Sequence, residues 1–369
     1  MASRRTTSLL LFLCLFSALL STVTAQTFTA CDPLKEDNCP INPALSTTYS
    51  LNLTKELNTV LWNTTNGALT YTDEGAEFTI NRKLDSPTIQ SKFYIFWGRL
   101  EVFMKAAPGK GVVSSIVLQS EDRDEIDWEW VGSETDFVQS NYFGKGNDSS
   151  FDRGGKHEMG NAMNDFHNYT LHWTKEKLEW WLDGKLLRTL TYDDAEGGKW
   201  YPQTPMNVRL GVWPGGDPDG RKGTIEWAGG EIDYDASPYT MVVKSLKVED
   251  FSTAEAYKYG DKSGDWESIE LIGANSTFIE EINKPPPKSL SQKWAELPNG
   301  AKIAVYASSA GVGLIALLAL IFVCIKQRRV GRKEYSLEES KFITDQNNTM
   351  TMQSKWNSNN GGYQELRRI

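Results

Sequence analysis

Apolar and polar residues alternate over short distances through residues 45–250. The runs are Phe78-Thr79-Ile80, Gly98 to Met104, Val112 to Leu118, Glu125 to Val131, Tyr169 to Trp173, Leu178 to Leu182, Val208 to Trp213 and Met241 to Val248. Each is strand-length, and Gly, Pro, Asn or Asp breaks it from the next. Asp183-Gly184 between Leu178–Leu182 and Lys185–Leu190 is a tight-hairpin signal. No segment here keeps a capped helical period, and no 20–50-residue repeat is present. The pattern predicts an all-β domain of two packed antiparallel sheets, of sandwich or jelly-roll kind.

Two longer apolar stretches follow a different rule. Leu9 to Leu20 comes after Arg4 and Arg5 and before Val23-Thr24-Ala25, which reads as a secretory signal peptide over 1–25. Ile303 to Ile325 is uncharged and long enough to span a bilayer. Lys302 precedes it and Lys326, Arg328 and Arg329 follow, so 302–325 is read as a single span with a cytoplasmic C-terminus. A lipid-anchor signal would need a polar spacer and a terminal apolar tail, whereas polar residues 326–369 follow. Residues 256–301, with Pro285-Pro286-Pro287, read as a stalk. The Asn-, Gln- and Ser-rich tail 326–369 reads as disordered; within it Tyr363-Gln-Glu-Leu366 has the form of a sorting signal.

Composition sharpens this division. The formal charge is -9 over 369 residues, which argues against a nucleic-acid partner. Setting aside the signal peptide, the span and the slightly basic tail leaves roughly -16 on residues 26–301, which suits a neutral or weakly cationic partner. Of four Cys, Cys14 and Cys324 fall in the apolar stretches, leaving Cys31 and Cys39 to form one disulfide in an oxidising compartment. The Asn-X-Ser/Thr triplets at Asn52, Asn63, Asn147, Asn168 and Asn275 predict a glycosylated extracellular part.

The chemistry concentrates in Asp124-Glu125-Ile126-Asp127-Trp128-Glu129-Trp130. On a strand, Glu125, Asp127 and Glu129 share one face, and Ile126, Trp128 and Trp130 the other. The acidic face is costly to bury, so it should line a solvated cleft or bind a cation. Glu125 and Glu129 stand roughly 13 Å apart along the backbone. Side chains leaning together would bring the carboxyls to about 5–6 Å, near the spacing of a retaining glycosidase pair. Asp127 between them would add repulsion that keeps an acid protonated near neutral pH. A calcium site and a plain solvated strand face are the alternatives.

Glu125-Ile-Asp-Trp-Glu129 resembles the signature of glycoside hydrolase family 16, in its form without an inserted residue. The surrounding residues 26–255 resemble the fungal Crh-type cell-wall transglycosylases. The matching features are Cys31 and Cys39 with Cys39-Pro40 and Pro43-Ala44-Leu45, Phe96-Trp97-Gly98-Arg99, Asn141-Tyr142-Phe143-Gly144, Phe166-His167, and Tyr169-Thr170-Leu171-His172-Trp173. Gly211-Val-Trp213-Pro-Gly-Gly-Asp217 and Trp227-Ala-Gly-Gly230 follow in the same order.

The resemblance implies a concanavalin-like β-jelly-roll with a long sugar cleft and no cofactor or metal. Glu125 would be the nucleophile, Glu129 the acid/base and Asp127 the supporting carboxylate. The donor would be chitin, and the acceptor β-glucan or chitin, with chitin hydrolysis as side outcome. Beside Glu129, it places Arg209, Trp213 and Thr224 in the donor subsites. Arg209 and Trp213 also fall on one face of their strand; Trp offers a flat surface and Arg hydrogen-bond donors. Tyr142 and Trp227 are further cleft candidates. Trp97, Trp128, Trp130, Trp173, Trp180 and Trp181 are expected in packing, and His157, His167 and His172 in structural hydrogen bonds.

Many members of that family carry a lipid-anchor signal, whereas this chain has a span. It would stay, as a monomer, at the plasma membrane facing the wall. No Cys-rich chitin-binding module is present, so the cleft would hold substrate unaided. A plain endo-acting hydrolase of chitin or β-glucan and a non-catalytic carbohydrate-binding module are the rival readings.

Overall fold

A computed structural model describes residues 27–149, 152–285 and 290–360. The signal peptide expected over 1–25 and the sorting-signal form at Tyr363–Leu366 lie outside the described residues. All eight predicted runs form strands, and their inward residues build one core.

Seven strands form the first sheet, in spatial order Gly155–Glu158, Phe137–Phe143, Glu125–Val131, Val113–Ser120, Met206–Trp213, Thr88–Ser91 and Trp62–Asn66. The second runs Lys185–Thr191, Lys177–Leu182, His167–Trp173, Gly98–Lys105, Tyr239–Asp250, Ala76–Ile80 and Leu69–Tyr71, with Thr48–Asn52 also paired to Tyr239–Asp250. Between these named strands every pairing is antiparallel. Asp183 and Gly184 both take left-handed φ, 48° and 78°, as the predicted hairpin demands.

The sheets close on aromatic side chains. Trp128 and Trp130 meet Tyr169 edge-on, with centroids 6.0 and 4.4 Å apart. Trp62, Trp173 and Trp180 are also fully buried, while Trp97 and Trp181 are only partly covered. Burying such large apolar surfaces is the main favourable term in the fold.

The folded unit extends further than the sequence pattern indicated. Residues 256–284 are not stalk. Ala256–Tyr259 pairs with Asn42–Pro43 and with Ile269–Ile272, and Tyr257, wholly buried, donates to Asp250 Oδ2 at 2.6 Å. Ser276 donates to the Ala44 carbonyl, and Phe278 packs on Phe93. The compact unit ends at Lys284. Strands of four residues between polar turns leave little periodic signal, which is why this segment reads as linker.

A second unit begins at Pro285. It contains the short helix Leu290–Glu296 and a helix Asn299–Asn360, apolar enough in its first part to cross a membrane. The helix continues beyond residue 325, where a disordered tail was expected. No Pro interrupts 326–360, and Gly331 is its one strong helix-weakening residue.

Candidate active site

Glu125–Val131 lies near the centre of the seven-stranded sheet, between Val113–Ser120 and Phe137–Phe143. Its apolar face enters the core. Its acidic face belongs to a surface built row by row across the sheet. Glu125 stands opposite Gln119 and Phe143; Asp127 opposite Val117 and Asn141; Glu129 opposite Ser115 and Gln139. The next strand continues these rows with Asn207, Arg209 and Gly211, and beyond them lie Gln90 and Thr88. Small side chains at Ser115 and Gly211 leave room beside Glu129.

The three carboxyls differ in environment. Gln119 Nε2 donates to Glu125 Oε2 at 2.9 Å. Burial raises the Glu125 proton affinity, while hydrogen bonding from Asp127, the charge of Arg209 and the Gln119 amide oppose the rise. Asp127 is only 2% exposed, so the middle of the acidic row is buried rather than solvated, contrary to expectation. Burial first, then the neighbouring Glu125 and Glu129, hold its carboxyl well above the usual range. Two carboxyls in hydrogen-bond contact inside protein cannot both ionise. The neighbouring carboxyls thus favour the neutral form of Asp127. Burial, then the charge of Glu125, push Glu129 up to about 8. Hydrogen bonding from Asp127 thus opposes the rise at Glu125, and the charge of Glu125 adds to burial in raising Glu129.

Neighbouring residues fix this row. Asp124, fully buried, accepts from the main-chain nitrogens of Lys145, Gln203 and Thr204 and from Thr204 Oγ1, anchoring the strand where Glu125 begins. From the opposite sheet, Trp180 Nε1 donates to the Asp127 carbonyl at 3.0 Å.

The other predicted site residues divide. Trp213 ends its strand on the acidic face and stacks on Trp227, with centroids 6.1 Å apart and planes 23° apart. Trp227 Nε1 donates to Gln139 Oε1 at 2.9 Å, which holds the indole beside Glu129's cross-strand neighbour. Thr224 lies half-buried on the short helix Lys222–Trp227. Arg209 is on the acidic face but only 2% exposed. Its Nε donates to Asn207 Oδ1 at 2.8 Å and its Nη2 to the Phe28 carbonyl at 2.9 Å, beneath the Phe28 ring. The N-terminal segment thus covers a guanidinium expected to meet sugar directly.

Tyr142 is not in the cleft. It pairs with Ile126 and shares the core face, with Arg188 and Arg153 over its ring; Asn141 and Phe143 take the acidic face instead. One residue along a strand exchanges faces.

The Cys31–Cys39 disulfide is formed, with Cα atoms 5.7 Å apart. Each His has a structural partner: Ser140 for His157, Asp183 for His167 and Glu179 for His172. No cluster of three metal-ligating side chains occurs among the described residues.

Residues 56–229 match the model of glycosyl hydrolases family 16. A Crh-like protein of Arthroderma benhamiae is 59% identical, over 97% of this chain and 98% of its own length. The chain belongs to the Crh-like proteins of glycosyl hydrolase family 16. Crh-like protein 3 of Aspergillus fumigatus is 53% identical over 97% of this chain and 99% of that protein. Among solved structures, a Crh5 transglycosylase without ligand is 51% identical, covering 65% of this chain and 100% of that one, with a TM-score of 0.63. The Crh5 transglycosylase in complex with NAG is 52% identical, covering 65% of this chain and 99% of that one, with a TM-score of 0.64. This Crh-like chain therefore carries the family's jelly-roll, with the acidic strand on its sheet face.

Gln119, Asn207, Gln139 and Phe28 escaped the sequence reading. Val113–Ser120 is buried throughout, so alternation of its two faces is muted. Counting register back from the turn between Ser120 and Asp124 places Gln119 opposite Glu125, and is the signal that was available.

Proposed function

We propose that the chain is a retaining transglycosylase that cleaves chitin and transfers it to β-glucan or chitin. The observation that carries this reading is the row Glu125–Asp127–Glu129 on one face of its strand, with Gln119 donating to Glu125 and Glu129 pushed up to about 8. Glu125 attacks the anomeric carbon as the glycosidic C–O bond breaks, and Glu129 gives its proton to the departing oxygen. Glu125 is then esterified to the donor sugar. An acceptor hydroxyl attacks that carbon, gives its proton to Glu129 and frees Glu125. Asp127 donates to Glu125 while it is anionic and so positions it. Water in place of the acceptor gives chitin hydrolysis, the second reading.

Trp213 and Trp227 supply an aromatic platform beside Glu129, suited to the apolar face of a sugar ring. An N-acetylglucosamine polymer as donor is supported by the solved Crh5 transglycosylase complex with NAG. Thr224 adds a hydroxyl on the same side, and Arg209 acts through charge and through the segment above it. The catalytic unit stands outside the plasma membrane, delivered by the signal peptide and tethered by the single span, as a monomer. It bears glycans at Asn52, Asn63, Asn147, Asn168 and Asn275.

Acid-quenching the protein during turnover of chitin oligosaccharides and weighing it tests the covalent step. An adduct of N-acetylhexosamine units on the peptide containing Glu125 is expected. The same adduct on Glu125→Gln would contradict the assignment.

A further inference from the structure

The chain N-terminal to the disulfide lies across the Glu125 end of the acidic face, and both main-chain polar groups of Phe28 are committed there. Its N–H donates to Gln119 Oε1 at 3.0 Å, and its carbonyl accepts from Arg209 Nη2 at 2.9 Å. The Phe28 ring stands 4.8 Å from the Arg209 guanidinium carbon. The segment is pinned on its far side. Thr29 Oγ1 bonds Glu121, which also holds the Tyr94 hydroxyl. Cys31 is tied to Cys39, and Asp32 pairs with Arg123 at 3.2 Å.

We infer that the main chain at Phe28 is a positioning element for Glu125, acting through the side-chain amide of Gln119. This positioning role presupposes Glu125 as the nucleophile proposed above. A primary amide can present either its oxygen or its nitrogen to a neighbour, and an isolated glutamine beside a carboxylate can turn over. Here the choice is made by a group that only donates. The Phe28 N–H demands the amide oxygen, so the NH2 faces Glu125 Oε2. An NH2 also only donates, and it favours a carboxylate that accepts over a carboxylic acid. Gln119 is 1% exposed, so water does not substitute for either partner. The pinned segment thus fixes an amide orientation, and the amide holds the rotamer of Glu125 and opposes the rise in its proton affinity. The Phe28 carbonyl holds Arg209, whose charge acts on Glu125 in the same direction.

Three variants of the full chain separate the main-chain role from the side chain. Phe28→Pro removes the N–H, Phe28→Ala removes the ring and keeps the N–H, and Gln119→Met removes the amide at similar length. Turnover of chitin oligosaccharides is followed against pH, with kcat and KM resolved, beside Glu125→Gln. Phe28→Pro and Gln119→Met are expected to lower kcat roughly tenfold. They move the acid limb of the kcat profile upward by on the order of 1 pH unit, because Glu125 loses a donor to its anion. Phe28→Ala moves that limb by less than Phe28→Pro. An acid limb in Phe28→Pro that overlays wild type, or a rise in kcat, would overturn the inference; the rise would mark the segment as an obstruction. Retained turnover in Glu125→Gln would instead overturn the role of Glu125. A dead Glu125→Gln beside unshifted Phe28→Pro and Gln119→Met would leave that role standing and remove this one.

Discussion

Trp180, on the sheet that backs the catalytic one, donates its indole N–H to the main-chain carbonyl of Asp127 at 3.0 Å. The bond crosses the core and holds the middle of the acidic strand to the opposite layer. Trp180→Phe removes the donor and leaves a small void. It should cost roughly 2–4 kcal/mol, from a lost buried hydrogen bond plus lost packing. Denaturant unfolding measures the cost. If Asp127 positions Glu125 as proposed, activity should fall further than the unfolded fraction explains.

The ionisation pattern sets the pH profile. In the proposed mechanism Glu129 must be protonated to assist the departing oxygen, and burial and the charge of Glu125 push it up to about 8. Turnover as kcat/KM should therefore decline as pH rises through about 8. With a donor bearing an activated leaving group that needs no proton, formation of the glycosyl-enzyme by Glu129→Gln should show no such basic limb. A limb that persists in that variant would assign the proton elsewhere.

Stability should move with pH in the same region. Glu129 and Asp127 bind protons more tightly folded than unfolded. Their contribution is complete below the ordinary carboxyl range and is lost as pH rises towards the folded value, near 8 for Glu129. Glu129→Gln should recover on the order of 1–3 kcal/mol at pH 8 and much less at pH 4. Thermal unfolding of the two proteins across pH checks the sign. Equal differences at both ends would contradict it.

The aromatic pair gives a separable effect. Trp213→Ala and Trp227→Ala each remove one member of a stack that borders Glu129's row. Both are partly exposed, so the fold should lose less than it would at Trp128 or Trp130. KM for chitin oligosaccharides should rise roughly tenfold, in line with about 1–1.5 kcal/mol per aromatic contact. Isothermal titration of the donor on an inactive Glu125→Gln background measures this without turnover. Unchanged affinity with a lowered melting temperature would mark the pair as packing.

How much was legible in advance follows from the physics of each element. Glu125-Ile-Asp-Trp-Glu129 announces both faces of its strand, because strong polarity alternates with large aromatics. Asp183-Gly184 announces its hairpin because the turn needs two left-handed residues. Tyr142 was misplaced because an aromatic ring suits a sugar cleft and a core equally, and a shift of one residue decides between them. Gln119 has no alternation signal because its strand is buried on both faces, and only the register from the turn before Asp124 points to it. Phe28 reaches the site only through the folded path of the segment before Cys31, which local pattern does not encode. The strands at Ala256–Tyr259 and Ile269–Ile272 were lost among polar residues for want of length.

The most direct test of the central claim follows the fate of the cleaved donor. The full chain is incubated with chitin oligosaccharides and fluorescent β-glucan and chitin oligosaccharides, beside Glu125→Gln and Glu129→Gln. Labelled products that lengthen by N-acetylglucosamine units only when both glutamates are intact are the predicted result. Donor shortening without label transfer would contradict transglycosylation and leave a hydrolase, and labelled product from Glu125→Gln would contradict the mechanism itself.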